Sequence, residues 1–420
     1  MTNFHMIKIH RQGFILVKFI LLYRTSKMRI KLNQLNSNNI LLVIFTFLCL
    51  VDWAKSQWYD NYDIQCRDEN NDPVDWYVIY KLPKLRQSSH KEVKKGGAYA
   101  YITSNEERDS WELSSLSIAS PKSIPGNTLS QLYKLKDTDE VIYALYNDQP
   151  PNVKRNSLSA GHTKGLVVAN KDGGFWLVHS VPHFPPDPKK SSYEYPGNAF
   201  KNGQSFLCIS LPAKDLEVVG TQLMYNNPKV YSNFSAKVLQ TLYPNLTMAS
   251  WGKEIRTAPF QHEVKLTTPS GTEFKSFAKT SKFNKDLYND WVADSLKVDL
   301  IVETWPNGIG RLNSSCQTSY KVENVDAMKI PQVGDDFTSK QDHSKWAIAF
   351  EKEKPWVCIG DINRATTQYH RAGGTVCMQN ANIWSAYFDS ITNIETCPVP
   401  KGFFRRTYEK VKSFFSNFFR

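Results

Sequence analysis

Short stretches of alternating β-branched and aromatic residues punctuate this chain. Val74–Lys81 (VDWYVIYK), Gly96–Thr103 (GGAYAYIT) and Val141–Asn147 (VIYALYN) have the period and composition of strands. A hairpin follows over Gly161–Pro182 (GHTKGLVVANKDGGFWLVHSVP), with Asp172, Gly173 and Gly174 as its turn signal. Leu207–Leu211 is a further apolar strand, and Leu216–Tyr225 and Ser232–Leu242 lead into the second half. There, Phe283–Asp290 and Trp291–Lys297 place apolar residues at helical spacing, and Val298–Trp305 (VDLIVETW) returns to strand. A second hairpin runs over Asp342–Arg364 with its turn at Lys352–Pro355, and Ala381–Ile391 is helical again. Strands alternating with helical stretches in two similar halves predict a mixed α/β (α+β) fold, two lobes facing each other across a pseudo-twofold axis. The division expected is a leader over 1–56, lobes over 57–225 and 226–400, and a tail over 401–420.

The two hairpins open on the same phrase: His162, Thr163, Lys164 in the first and His343, Ser344, Lys345 in the second. In an extended chain, residues i and i+2 point to one side, roughly 6.5–7 Å apart. Each copy therefore aims one imidazole and one ammonium at the same place. That set suits a phosphodiester: one imidazole attacks phosphorus, the other protonates the leaving oxygen, and the lysines neutralise the phosphoryl oxygens. A single H-x-K step is weak, because a lone strand histidine is more often a structural hydrogen-bonding group. Two copies in matching contexts carry more weight. His179 and Ser180 end the second strand of the first hairpin, and Asp361 and Asn363 follow that of the second, where they are expected to orient the site. His179 and His183 have metal-like spacing but no nearby acidic partner, so no metal and no cofactor is expected.

Composition adds a compartment. Residues 40–51 (ILLVIFTFLCLV) form an apolar run short for a membrane span, with basic residues before it and Ala54, Lys55, Ser56 after it. This is the layout of a signal peptide cleaved after Ser56; a retained anchor is the alternative, and Met28 is an alternative start. Either way the chain enters the secretory pathway, to be secreted or sent to the lysosome. Of the formal charge of +12, residues 1–56 carry +7, which leaves a mildly basic +5 for the remainder. Outside the apolar run six cysteines remain, Cys66, Cys208, Cys316, Cys358, Cys377 and Cys397; an even number implies three bridges, whose pairing the spacing leaves open. Sequons at Asn233, Asn245 and Asn313 fit a glycosylated lumenal protein. The last twenty residues place Phe404, Tyr408, Val411, Phe415 and Phe418 at helical period among basic residues. They are expected to pack on the body or fray, with an anionic membrane or nucleic acid as the competing partners.

With these phrases in hand, the chain resembles the deoxyribonuclease II family. The residues that carry the likeness are CRDENNDPVDWYVIYKLPK (Cys66–Lys84), GHTKG with DGGFWLVHSVPHFPP (161–186), and DHSKW with PWVCIGDINR and RAGGTVC (342–377). The resemblance implies a pseudodimer of two phospholipase D-like lobes and an acid, metal-independent endonuclease leaving a 3′-phosphate and a 5′-hydroxyl. It also implies the bridges Cys66–Cys208, Cys316–Cys397 and Cys358–Cys377. A phospholipase D signature wants Asp five residues after each Lys; Ala169 and Phe350 stand there, which argues against a lipid substrate. Ala372 stands where the family often shows Gly. DNA is the expected partner, bound through its backbone and without sequence preference. The competing expectations are a DNA-binding or host-interaction protein without turnover, and a phosphodiesterase acting on lipid or RNA. A serine hydrolase is disfavoured, since no G-x-S-x-G occurs. Which histidine attacks stays open at this level.

Overall fold

The computed structural model describes residues 64–397 apart from positions 107, 137 and 154–158; the expected leader and basic tail lie outside the described residues. A two-stranded ribbon of β1 (Cys66–Arg67) and β2 (Pro73–Val74) leads into the first large sheet. That sheet comprises β3 (Trp76–Lys81), β4 (Tyr99–Thr103), β5 (Glu112–Leu113), β6 (Ile142–Asn147), β7 (Lys164–Ala169), β8 (Gly173–His179), β9 (Gln204–Pro212) and β10 (Val230–Ser235). Its order is β10-β6-β7-β8-β9-β3-β4-β5. The second sheet comprises β11 (Gln261–Thr267), β12 (Glu273–Lys279), β13 (Leu300–Glu303), β14 (Val322–Lys329), β15 (Asp336–Thr338), β16 (Trp346–Ala349), β17 (Trp356–Gly360), β18 (Gly373–Gln379) and β19 (Ile391–Glu395). It runs β11-β12-β18-β17-β16-β13-β14-β15, with β19 paired to β14. Residues 230–235 thus extend the first sheet beyond the lobe boundary expected at 225.

Five strands of each sheet repeat one another. In chain order they are β3, β6, β7, β8, β9 and β12, β13, β16, β17, β18, and both sets lie in space as second, third, fourth, fifth, first. Register agrees as well. Lys81 lies opposite Gln204 and Lys279 opposite Gly373; Gly165 lies opposite Val178 and Trp346 opposite Ile359.

The alternation seen in the sequence sorts residues between two cores. On β3, Trp76, Val78 and Tyr80 face a core shared by both sheets, while Tyr77 and Ile79 face a second core behind the first sheet. Trp346, Ile348, Val357 and Ile359 of the second sheet enter the shared core, and Ala347, Ala349 and Cys358 enter a third behind it. Strands buried on both faces are expected where every face is covered. Helix α1 (Ile124–Leu135) covers the outer face of the first sheet, with Ser123 Oγ accepting from Gly126 N at 3.3 Å at its start. Helices α2 (Ala213–Asn226) and α3 (Ala381–Asp389) fill the shared core with Leu216, Val219, Leu223, Ile383, Trp384 and Tyr387. Asn380 caps α3 through Oδ1, which accepts from Asn382 N and Ile383 N at 3.0 Å each. Among the described residues no helix is long and apolar enough to cross a membrane.

Three disulfides lock the halves internally: Cys66–Cys208, Cys316–Cys397 and Cys358–Cys377, spanning 142, 81 and 19 residues. Loop-closure entropy gives about 5 kcal/mol for the longest and about 3 kcal/mol for the shortest. The double variant Cys66→Ala/Cys208→Ala should therefore lower the free energy of unfolding more than Cys358→Ala/Cys377→Ala, measured by denaturant titration.

Candidate active site

Each H-x-K step stands at the mouth of a central strand, β7 or just ahead of β16, and faces the other half. The middle residue points the opposite way and is tied to a buried carboxylate. Thr163 bonds Asp361, while Ser344 donates from Oγ to Asp342 Oδ2 at 2.6 Å and from N to Oδ1 at 2.9 Å. Tyr80 OH also donates to Asp342. This leaves His and Lys of each step on the same side; Lys345 Nζ is 3.2 Å from His343 Nδ1.

The two histidines are held crosswise. His343 N donates to Gly203 O at 2.9 Å and His162 N to Ala372 O at 2.8 Å. The rings follow the same rule: His162 Nδ1 bonds the carbonyl of Asp361, and His343 Nδ1 that of Ser180 at 3.1 Å. Ser180 and Asp361 occupy equivalent places, just past β8 and β17. A carbonyl only accepts, so His162 Nδ1 carries its ring proton and Nε2 presents a lone pair; His343 Nδ1 lies between the Ser180 carbonyl and the Lys345 ammonium, and shares that tautomer where the carbonyl is its partner. Gly203 must be glycine, because a Cβ there would stand 2.3 Å from Asp342 Oδ1. Ala372 contributes its carbonyl, so its difference from Gly leaves this bond intact.

Lys164 is fully buried and paired with Asp148, whose other oxygen meets Arg371 Nη2 at 3.2 Å. Arg371 Nε donates to Ala160 O at 3.0 Å, next to the first H-x-K step. Around His343 the corresponding place is taken by Trp305, its ring 5.2 Å away and near edge-on. Asp148, Arg371 and Trp305 were not foreseen in the sequence; the one hint, for Asp148, is an acid directly after a buried strand, in YND.

Of the supporting residues, Ser180 and Asp361 reach the histidines through main-chain carbonyls. Ser180 Oγ donates to Gln204 Oε1 at 2.6 Å, and Asp361 Oδ1 accepts from Gly374 N at 2.9 Å. The His179 ring lies between Phe184 and Phe206, with Nδ1 accepting from Val181 N at 3.1 Å and Nε2 unpartnered. Asn363 Oδ1 is buried without a partner. His183 bonds the Pro150 carbonyl at 2.8 Å. Among the described residues no cluster of three or more His, Cys, Asp or Glu could hold a metal ion. Of the sequons, Asn313 is exposed, Asn245 is half-buried, and Asn233 donates from Nδ2 to the Ser250 carbonyl.

Burial dominates the electrostatics. It pushes both imidazoles well below the usual histidine value, reinforced by Lys164 at His162 and by Lys345 and Lys164 at His343. The Asp148 charge works the other way on His162. Lys345 is brought down to about 7 by burial and by Lys164. Asp361 is pushed up to about 6 by burial, whereas Lys164 and His162 hold Asp148 below the ordinary carboxylate range despite its burial. Charges of each step reach the imidazole of the other: Lys164 and His162 lower His343, and Lys345 lowers His162.

A deoxyribonuclease II family model matches residues 65–397. The chain is 38% identical over 357 residues to plancitoxin-1 of Acanthaster planci, covering 85% of this chain and 99% of that protein. It is 39% identical over 343 residues to rat deoxyribonuclease-2-alpha (81% and 96%), and 38% over 340 residues to human deoxyribonuclease-2-beta (80% and 92%). The chain belongs to the deoxyribonuclease II family. As a deoxyribonuclease II-type protein it is a hydrolase, an acid endonuclease acting on phosphodiester bonds, and its two mirrored sheets are the pseudodimeric phospholipase D-like fold of that family.

Asp148→Asn removes the carboxylate paired with the buried Lys164 ammonium, which costs about 3–5 kcal/mol. Because the folded-state pKa of Asp148 is depressed, its stabilisation is present above the ordinary carboxylate pKa and is lost as pH falls below it. The wild-type advantage over Asp148→Asn should accordingly be undiminished at pH 5 and shrink below about pH 4, as read from unfolding curves.

Proposed function

We propose that this protein hydrolyses DNA at acid pH to 3′-phosphate and 5′-hydroxyl ends through a phosphohistidine intermediate, with no step assigned to a metal. The crosswise mounting of the two histidines carries this reading: with each Nδ1 on a carbonyl of the other half, each Nε2 is left for the substrate, and each step brings a lysine with it.

The surroundings favour a division of labour. His343 is the nucleophile: burial and the Lys345 ammonium beside it oppose imidazolium formation. His162 is the acid, because the Asp148 carboxylate supports its charged form. Nε2 of His343 attacks phosphorus and forms a P–N bond. The P–O5′ bond breaks as His162 passes its proton to the departing oxygen. Water then attacks, giving its proton to His162, and the P–N bond breaks to release the 3′-phosphate and restore His343. Lys164 and Lys345 neutralise the non-bridging oxygens. Positions 169 and 350 hold an alanine and a phenylalanine packed into the strands and their core, which favours DNA over a lipid headgroup. Three bridges and an exposed Asn313 sequon support a route through the secretory pathway to the lysosome or the exterior.

Supercoiled plasmid at about pH 5 with EDTA present tests the activity; intact plasmid with wild type would leave a binding protein as the reading. His162→Ala and His343→Ala should each lower the rate by about 10³-fold or more. A thymidine 3′-(p-nitrophenyl phosphate) separates their roles, since its leaving group needs no proton: His162→Ala should retain a stoichiometric burst of nitrophenol release and His343→Ala should lose it.

The reactive form holds His162 protonated and His343 neutral. As burial and Lys164 depress the His162 pKa, the alkaline limb of kcat/KM should lie below about pH 6.5, the ordinary histidine value. A bound phosphodiester anion restores part of that pKa, so the limb of kcat should lie at higher pH than that of kcat/KM.

A further inference from the structure

Two lysines outside the H-x-K steps occupy equivalent, fully buried positions. Lys81 closes β3 beside Gln204, and Lys279 closes β12 beside Gly373. A buried ammonium must be fully hydrogen-bonded to be tolerated. Both spend their protons on main-chain carbonyls of the segment entering the fifth strand of their own sheet. Lys81 Nζ donates to Phe200 O at 3.1 Å and Asn202 O at 2.5 Å. Lys279 Nζ donates to Gln368 O at 3.0 Å, Tyr369 O at 3.2 Å and Arg371 O at 2.5 Å.

The next residue in each segment is the one that grips a histidine. Asn202 precedes Gly203, whose carbonyl receives His343 N–H, and Arg371 precedes Ala372, whose carbonyl receives His162 N–H. Arg371 is also the second cation on Asp148. We propose that Lys81 and Lys279 are positioning residues of the active site, each fixing the loop that holds the reactive histidine of the opposite half. The inference rests on the proposed two-histidine reaction for its effect on rate, though not for its effect on geometry. An apolar residue would fill the same space without gathering the carbonyls, so a packing role alone does not account for two ammoniums at matched sites. Burial lowers Lys81 to about 7 and Lys279 to about 8, so both carry their charge at acid pH. The groups bearing on them are Asp342 for Lys81, and Asp286, Asp361 and Arg371 for Lys279, whose Nζ also stands 5.8 Å from the Phe283 ring.

The test is hydrogen exchange read by mass spectrometry on the full chain at pH 5, beside steady-state kinetics on DNA. Lys81→Met should speed exchange in the peptide containing His343 by about 10-fold or more and leave that containing His162 unchanged; Lys279→Met should do the reverse. Each should lower kcat about 10–100-fold with KM within about threefold. Equal loosening of both peptides in each variant, or of neither, overturns the proposal, as does a kcat within twofold of wild type. Should the Met variants not be secreted, Lys81→Arg and Lys279→Arg keep the charge but move the donors, and the same crossed pattern is required of them. Wild type that fails to cut DNA would overturn the proposed function, while the exchange pattern would still decide the positioning role.

Discussion

Everything at this site depends on an exchange between the halves. The main-chain N–H and the ring Nδ1 of each histidine end on carbonyls contributed by the other lobe. The exchange needs the two sheets docked to within a few tenths of an ångström, and the shared core of Trp76, Tyr80, Trp176, Trp346 and Tyr387 supplies the force for that docking. Catalytic geometry and the largest apolar core are therefore one structural fact.

Such closeness is electrostatically costly. Two imidazoles and two ammoniums are gathered out of water, and among the described residues only Asp148 forms an ion pair with an H-x-K lysine, Lys164. Burial and the neighbouring ammoniums push both imidazoles towards the neutral form. An incoming phosphodiester brings the missing negative charge, so substrate binding and proton uptake are linked through the same groups. The pseudo-symmetry is broken where chemistry requires it, by a carboxylate beside one histidine and an indole beside the other.

The two hairpins were legible because their information is local. Alternation in GLVVA, GGFWLVH, WAIAF and PWVCIG fixes strand, turn and facing within some twenty residues, and repetition of H-x-K exposed the twofold relation. The hairpin of β11 and β12 escaped because Glu263, Lys265, Glu273 and Lys275 on its outer face dilute the apolar signal. β14 (VENVDAMK) was hidden in the same way. Asp148, Arg371, Lys81 and Lys279 were unreadable for another reason. Their meaning lies in partners on other strands and loops, up to 223 residues away for Arg371 and Asp148, and no periodicity encodes such a pairing. Even the foreseen Ser180 and Asp361 act on the histidines through backbone atoms, which carry no signature in residue type.

The shared core also dictates an order of events at the ribosome. The first sheet has all its strands once Ser235 has been made, but one face of it is covered only in part, by α2, until the strands of the second sheet, the last central one ending at Gln379, have followed. At ordinary rates of synthesis that interval is roughly 7–30 s. Through it the nascent first half displays a wide aromatic surface, which makes the protein dependent on the holding capacity of the compartment it enters.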